Sequence, residues 1–61
     1  MYRVQYVRQG RSSQTTYRSE TPLEDGQWIN ADDAHLVVER IVRAKRGDPY
    51  DGLALCRLAP G

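Results

Sequence analysis

Cysteine is almost absent from this 61-residue chain, which contains only Cys56. One thiol excludes an internal disulfide, whereas small secreted domains are usually cross-linked by several. We therefore expect the protein to work in a reducing compartment, the cytoplasm. Because Leu55 and Leu58 flank the thiol, we expect Cys56 to be buried and structural rather than reactive.

Long apolar runs are also missing. No segment approaches the roughly 18 apolar residues that a membrane-spanning helix needs. The N-terminal sequence MYRVQYVRQG lacks the apolar region of a signal peptide. These absences predict a protein that does not bind membranes, and the length predicts one domain covering residues 1–61.

Neither sign of charge dominates the chain. Nine basic and eight acidic residues leave a formal net charge of +1, whereas a dedicated nucleic-acid-binding domain is usually far more basic. Lys45 is the only lysine, so every other cation is an arginine. Genome composition is one explanation of this bias. A second is that arginine makes better two-pronged contacts to carboxylate or phosphate groups.

The usual signatures of catalysis and metal binding are missing as well. His35 is the only histidine, and no Cys or His lies at metal-binding spacing from it. The carboxylates fall almost entirely in predicted turns, and the scattered glycines form no phosphate-binding fingerprint. We therefore predict no metal site, no cofactor and no enzymatic activity.

Phenylalanine is absent, so four tyrosines and Trp28 supply all the aromatic surface. Each aromatic side chain buries a large area, and the chain offers few other large apolar residues to fill a core. We therefore expect Trp28 to lie in the core.

What the chain does have is a period-two pattern. Residues 2–7 alternate between β-favouring apolar and more polar side chains, which predicts a half-buried strand. Residues 9–13 form a polar, glycine-containing break of hairpin size. Residues 14–18 resume β-favouring types, with Thr15 and Tyr17 on one face. The pattern predicts an antiparallel hairpin.

Two more short strands follow from turn signals and apolar runs. Residues 21–26 contain a proline and an Asp-Gly pair, which predict a turn, and residues 27–30 form a short apolar strand. Residues 30–33 are again polar and compatible with a turn. Residues 53–59 are a nearly continuous apolar run of strand length, ended by the Pro-Gly pair at 60–61.

The stretch 34–46 fits two structures. A helix would place five apolar residues on one face: Ala34, Val37, Val38, Ile41 and Ala44. A strand would place four on one face, with Arg40 interrupting them: Leu36, Val38, Val42 and Ala44. Four β-branched residues in the stretch favour the strand. The alternative is one helix over 31–46 packed on a small sheet, an α+β protein.

Three segments together resemble a known kind of fold. Residues 22–29 are similar to the proline- and glycine-containing step that leads into the third strand of small SH3-like β-barrel proteins of the uncharacterised phage and bacterial type. Residues 35–42 and 53–58 are similar to the strand that follows and to the closing strand of these proteins. The resemblance implies an all-β protein, a small five-stranded SH3-like barrel. Because such barrels have many unrelated functions, it implies a shape and not an activity.

The candidate contact residues are cations and aromatics. The cations lie in the first hairpin and at the end of the stretch 34–46, and the tyrosines would add stacking surfaces for bases. The full set is Arg3, Arg8, Arg40, Arg43, Lys45, Arg46, Tyr6, Tyr17 and Tyr50. We predict a non-enzymatic interaction module that binds another protein or pairs with a second copy through a free edge strand. The alternative is a weak nucleic-acid-binding barrel. A third interpretation is that the arginines only solvate the surface, paired with Glu20, Glu24 and Glu39.

Overall fold

The structure, a computed structural model, describes residues 1–60 and is all-β over that range. Its five strands are β1 (Tyr2–Arg8), β2 (Arg11–Tyr17), β3 (Trp28–Ala31), β4 (Ala34–Arg43) and β5 (Gly52–Leu58). They form one curled, barrel-like sheet in the order β2-β1-β5-β4-β3. The prediction of an all-β protein with five strands is confirmed. The alternative, a helix over 31–46, is wrong, because β4 occupies that stretch.

Neighbouring strands are antiparallel except at the centre of the sheet, where β1 and β5 run parallel. Their ladder begins where Tyr2 lies opposite Gly52 and continues to Gln5 opposite Leu55. The edge strands β2 and β3 approach each other across the open side of the curled sheet, but no ladder of backbone hydrogen bonds joins them. The Pro-Gly pair predicted to end the last strand includes Gly61, which lies outside the described residues.

Two tight turns set the registers of the hairpins. Gln9 and Gly10 connect β1 to β2, and Asp32 and Asp33 connect β3 to β4; all four have positive φ. Positive φ at both central residues is the mark of the type I′ turn, whose twist matches that of paired strands. The predicted break over 9–13 is therefore too long, since β2 already begins at Arg11.

A β-bulge decides which side chains of β4 face the core. The register with β5 shifts between Val38 and Arg40, so Glu39 is an extra residue. Beyond the bulge, the side chain of Ile41 lies on the same face of the sheet as that of Val38 and packs against the core. The predicted face that continued through Val42 and Ala44 is wrong for this half of the strand, because a strict period of two cannot accommodate an inserted residue.

The core lies on the concave side of the sheet. Val4, Leu36 and Val38 are its largest fully buried side chains, and Tyr2 and Tyr6 add the aromatic surface. The hydroxyl of Tyr2 accepts a hydrogen bond of 3.2 Å from the backbone N–H of Leu23. This bond holds Leu23, in the connection between β2 and β3, over the open end of the core.

Cys56 faces this core from β5 and is buried, as predicted. Burial raises the pKa of its thiol to about 11, and the nearby charge of Glu39 adds to the effect. The thiol is therefore protonated at neutral pH and packs as a small apolar side chain.

Within residues 1–60 there is no helix of the length and apolar character needed to span a membrane.

Candidate functional site

The convex side of the sheet is the surface with the most chemical character. In the described part of the chain, no helix or strand covers it. Strand alternation places there the side chains that point away from the core. We call this surface the outer face and define it by nine residues: Arg3, Gln5, Trp28, Val37, Arg40, Val42, Leu53, Leu55 and Arg57.

Aliphatic residues form the middle of the outer face. Val42 lies opposite Leu53 across the β4–β5 ladder, and Leu55 follows two residues further along β5. Val42 is 40% exposed, and the two leucines are half-buried. Water therefore contacts an apolar strip that the fold leaves without a partner.

Trp28 lies at one end of this surface and is 61% exposed. The prediction that it lies in the core is wrong. In β3 the inward positions belong to Ile29 and Ala31, so alternation turns Trp28 to the outer face. There it lies opposite Val37, which is buried although it also faces outward.

The charges of the molecule are divided between strands and loops. In the part of the chain that the structure describes, Glu39 is the only acidic residue in any strand, whereas six arginines lie in strands: Arg3, Arg8, Arg11, Arg40, Arg43 and Arg57. The single ion pair among residues 1–60 joins the Met1 amine to Asp51. The interpretation that the arginines are paired with Glu20, Glu24 and Glu39 is therefore wrong for this part of the chain. Their guanidinium groups are available to an external anion.

A groove of about 280 Å³ lies where the outer face meets the β4–β5 loop. We call it the basic groove, because Arg3, Arg43 and Lys45 line it above a floor that includes Val42 and Leu53. The guanidinium carbon of Arg3 lies 4.5 Å from the centroid of the Tyr50 ring, a cation–π contact that restricts the arginine.

One carboxylate, that of Asp48, also lines the basic groove. It accepts a 2.9 Å hydrogen bond from the backbone N–H of Tyr50, which holds the loop that carries the ring. With three cations and one carboxylate, the groove has a net positive charge and an apolar floor. It can bind an anionic group attached to an apolar one.

Two predicted contact residues belong to the core side of the sheet. Tyr6 is 2% exposed, and its hydroxyl donates a 2.7 Å hydrogen bond to Asp32. That hydrogen bond is the main reason the pKa of Tyr6 is raised, with burial second. Tyr17 is half-buried and packs against the core from β2. Neither ring lies on the outer face.

The remaining predicted residues are spread over the molecule. Arg3, Arg43 and Lys45 line the basic groove, the Tyr50 ring lies against Arg3 beside it, and Arg40 lies on the outer face. Arg8 lies beside the β1–β2 turn at the far end of β1, and Arg46 is exposed in the β4–β5 loop.

Seven of the nine residues of the outer face were not among the predicted contact residues: Gln5, Trp28, Val37, Val42, Leu53, Leu55 and Arg57. The sequence carried no signal for an outward position of the leucines, because large apolar side chains usually face the core. Ala54 and Cys56 fill the inward positions, so the larger Leu53 and Leu55 must point outward.

The concave side carries a wider cleft of about 860 Å³ next to Tyr2 and Leu23. Three carboxylates line it, those of Glu24, Asp25 and Asp51, together with Arg43. No group of three His, Cys, Asp or Glu residues between positions 1 and 60 is arranged to hold a metal ion.

Comparison with protein-family models, with curated proteins and with solved structures finds no match to this chain. The resemblance to small SH3-like barrels of phage and bacteria therefore stays a prediction.

Proposed function

We propose that this protein is a non-enzymatic interaction module that binds another protein through its outer face. The exposed Trp28, at one end of an apolar strip bordered by arginines without carboxylate partners, carries the proposal. Tryptophan and arginine are the residue types on which binding energy concentrates in protein interfaces. An apolar centre with a polar border is also the usual anatomy of such interfaces.

The apolar strip supports a protein partner over a nucleic acid. Val42, Leu53 and Leu55 offer aliphatic surface in the middle of the sheet, which suits aliphatic or aromatic side chains of a partner. Burying such surface contributes roughly 25 cal/mol per Å². Among residues 1–60, the only aromatic side chains on this side are Trp28 in β3 and Tyr50 in the β4–β5 loop, and they do not form a row that could stack successive bases.

The cations define the chemistry of the partner. Arg40 and Arg57 border the strip, and neither has to leave an ion pair within residues 1–60 to bind an external carboxylate. Arg3 is already restricted by the Tyr50 ring, so less side-chain freedom is lost when it binds. We expect a partner segment in which aspartate or glutamate residues lie next to apolar residues.

Selection from a display library of short random peptides tests this proposal. The wild-type protein should enrich peptides that combine acidic with apolar or aromatic residues, and their binding should shift backbone NMR signals of β4 and β5. Trp28→Ser should weaken binding of these peptides by about tenfold or more, as expected for a residue on which binding energy concentrates. Arg40→Gln should weaken it less.

Arg18→Gln is the matched control, because it removes the same charge from an exposed position outside the strands. It should leave peptide binding unchanged. Enriched peptides that bind Trp28→Ser as tightly as the wild type would refute the outer face as the binding surface. Failure to enrich any peptide in repeated selections would count against the protein-binding function itself.

The division of charge between strands and loops favours a second candidate function, weak binding of single-stranded nucleic acid. Arg3, Arg40, Arg43 and Lys45 would then contact phosphates. Affinity for a short oligonucleotide should fall steeply as salt is added, because each phosphate contact releases counterions. An NMR titration at low salt that shows no shifts would eliminate this candidate.

A further inference from the structure

The free edge of β2 presents its backbone groups in a regular pattern. In a hairpin with a two-residue turn, the residues that flank the turn exchange both backbone hydrogen bonds. Here these residues are Arg8 and Arg11. Because the pattern alternates along the ladder, the N–H and C=O groups of Ser12, Gln14 and Thr16 point away from β1.

This edge lacks the features by which proteins usually protect an edge strand. Residues 12–17 contain no charge, no proline and no glycine, and the ladder with β1 has no bulge. The other edge, β3, has only four residues, and no ladder joins it to β2. The seven-residue edge of β2 can therefore accept another strand.

We propose that two copies of this chain associate by antiparallel pairing of their β2 strands, with the two-fold axis at Gln14. Centring the axis at the middle of Arg11–Tyr17 pairs all seven residues. Gln14 then faces its own equivalent, and Ser12 faces Thr16 of the second copy. These are the residues whose backbone groups point outward, so every outward group in the overlap finds a partner.

The side chains support the same register. Ser13 lies opposite Thr15 of the second copy, a pair of hydroxyl residues of the kind that stabilises neighbouring strands. Arg11 lies opposite Tyr17 of the second copy, so each cation faces an aromatic ring and not another cation. Because the strand is complementary to itself in this way, a second copy is the occupant that the edge fits.

Dimerisation through β2 does not depend on the proposed binding function, but it would change how a partner binds to the outer face. Pairing of the β2 edges would join two sheets into one, with both outer faces on the same side. A partner with two acidic-apolar segments would then bind both copies at once, which raises its overall affinity without any new contact.

Amide exchange measured at several protein concentrations tests the proposal directly. The amides of Ser13 and Thr15 already bond to β1, so their exchange should be slow at every concentration. The amides of Ser12, Gln14 and Thr16 should become protected only as the concentration rises. Sedimentation should show the mass doubling over the same range. A strict monomer at millimolar concentration would overturn the proposal.

Two substitutions at the axis sharpen the test. Gln14→Pro removes an outward N–H without removing a bond to β1, and it should weaken dimerisation about tenfold or more because one bond per copy is lost. Gln14→Lys places two cations at the axis and should also favour the monomer. Gln9→Lys is the matched control, since it adds the same charge at an exposed position of the β1–β2 turn, outside the paired edge and outside the outer face.

These variants also separate the dimer from the binding function. Dimerisation that persists unchanged in both Gln14→Pro and Gln14→Lys would refute pairing through β2, whatever the peptide-binding result. Dimerisation that is lost in Trp28→Ser but retained in both Gln14 variants would assign the interface to the outer face. If the wild-type protein binds no peptide while Gln14→Lys still abolishes the dimer, the proposed function is refuted and the dimer is not.

Discussion

Gly52 and Tyr2 face each other on the two parallel strands, and their contact depends on the absence of a side chain at Gly52. A Cβ atom there would lie 2.8 Å from the carbonyl oxygen of Val42 and 3.4 Å from the ring of Tyr2. The first distance is too short for any carbon–oxygen contact and involves backbone, which cannot rotate away. The ring of Tyr2 therefore packs over the backbone of β5 because residue 52 is glycine.

Gly52→Ala should lower the free energy of unfolding by about 1–3 kcal/mol, because relief of the contact requires the β4–β5 ladder to move. Urea denaturation at neutral pH measures the loss. Gly47→Asn is the control: Gly47 has a φ of 89° and no atom within 4 Å of the added Cβ. Asparagine tolerates such backbone better than most residues, so the control should cost less than about 1 kcal/mol. Equal losses in the two variants would contradict the steric argument.

The buried thiol of Cys56 should make stability depend on pH in the alkaline range. Folding raises the pKa of this thiol from about 9.0 to about 11, so the folded state favours the protonated form. The stabilisation is complete below about pH 9 and is lost as the pH rises towards 11. Cys56→Ala should remove this part of the pH dependence of stability, while the part due to Tyr6, whose pKa is also raised, remains. Urea midpoints measured across this range should fall less steeply in the variant, and parallel curves would show that the thiol does not contribute.

At the scale of single elements, the turn between β3 and β4 contains avoidable strain. Asp32 and Asp33 both have positive φ, and glycine is the residue preferred at the second position of such a turn. Asp33→Gly should therefore raise the free energy of unfolding by about 0.5–1 kcal/mol, whereas Asp33→Ala should lower it by about 1 kcal/mol. Asp32 is left unchanged because it accepts the hydrogen bond from Tyr6. Thermal unfolding of both variants checks the opposite signs.

A strand or turn could be predicted from the sequence where the residues that determine it lie close together in the chain. The first hairpin follows from alternation and turn residues within a few positions of one another, and the closing strand follows from a short apolar run. The β3–β4 hairpin was less predictable, because residues 34–46 also fitted a helix. The bulge at Glu39 was not predicted, although one residue in the stretch 34–43 did not fit a regular strand. The sign that a regular strand was wrong was Arg40, which interrupted an otherwise apolar face.

The candidate site was predicted less well than the fold, for a related reason. Arg3, Arg40, Arg43, Lys45 and Tyr50 were selected for their chemistry, and the structure places them on or beside the outer face. Tyr6 and Tyr17 were selected on the same ground, but strand alternation turns both side chains towards the core. Which of two faces becomes the core is decided by strands that are distant in sequence, and composition does not reveal it.

At the scale of the whole molecule, the least local contact is the ladder between β1 and β5. It joins residues at opposite ends of the chain, while every other ladder joins strands that follow each other in sequence. Closing so long a loop costs chain entropy before any contact in the ladder forms. The two units that it connects, β1–β2 and β3–β4–β5, contain only consecutive antiparallel pairs.

Folding should therefore begin within the β3–β4–β5 unit and end when β1 pairs with β5, with an overall time in the range of about milliseconds to seconds that is usual for all-β domains. Asp33→Ala lies in a turn that forms early, so it should mainly slow folding. Val4→Ala removes a fully buried side chain of β1 where it lies opposite Ala54 in the ladder that forms last, so it should mainly speed unfolding. Stopped-flow measurements in urea separate the two effects. If Val4→Ala slowed folding and left unfolding unchanged, the β1–β5 ladder would already be present in the transition state, and the cost of closing the long loop would be met early in folding.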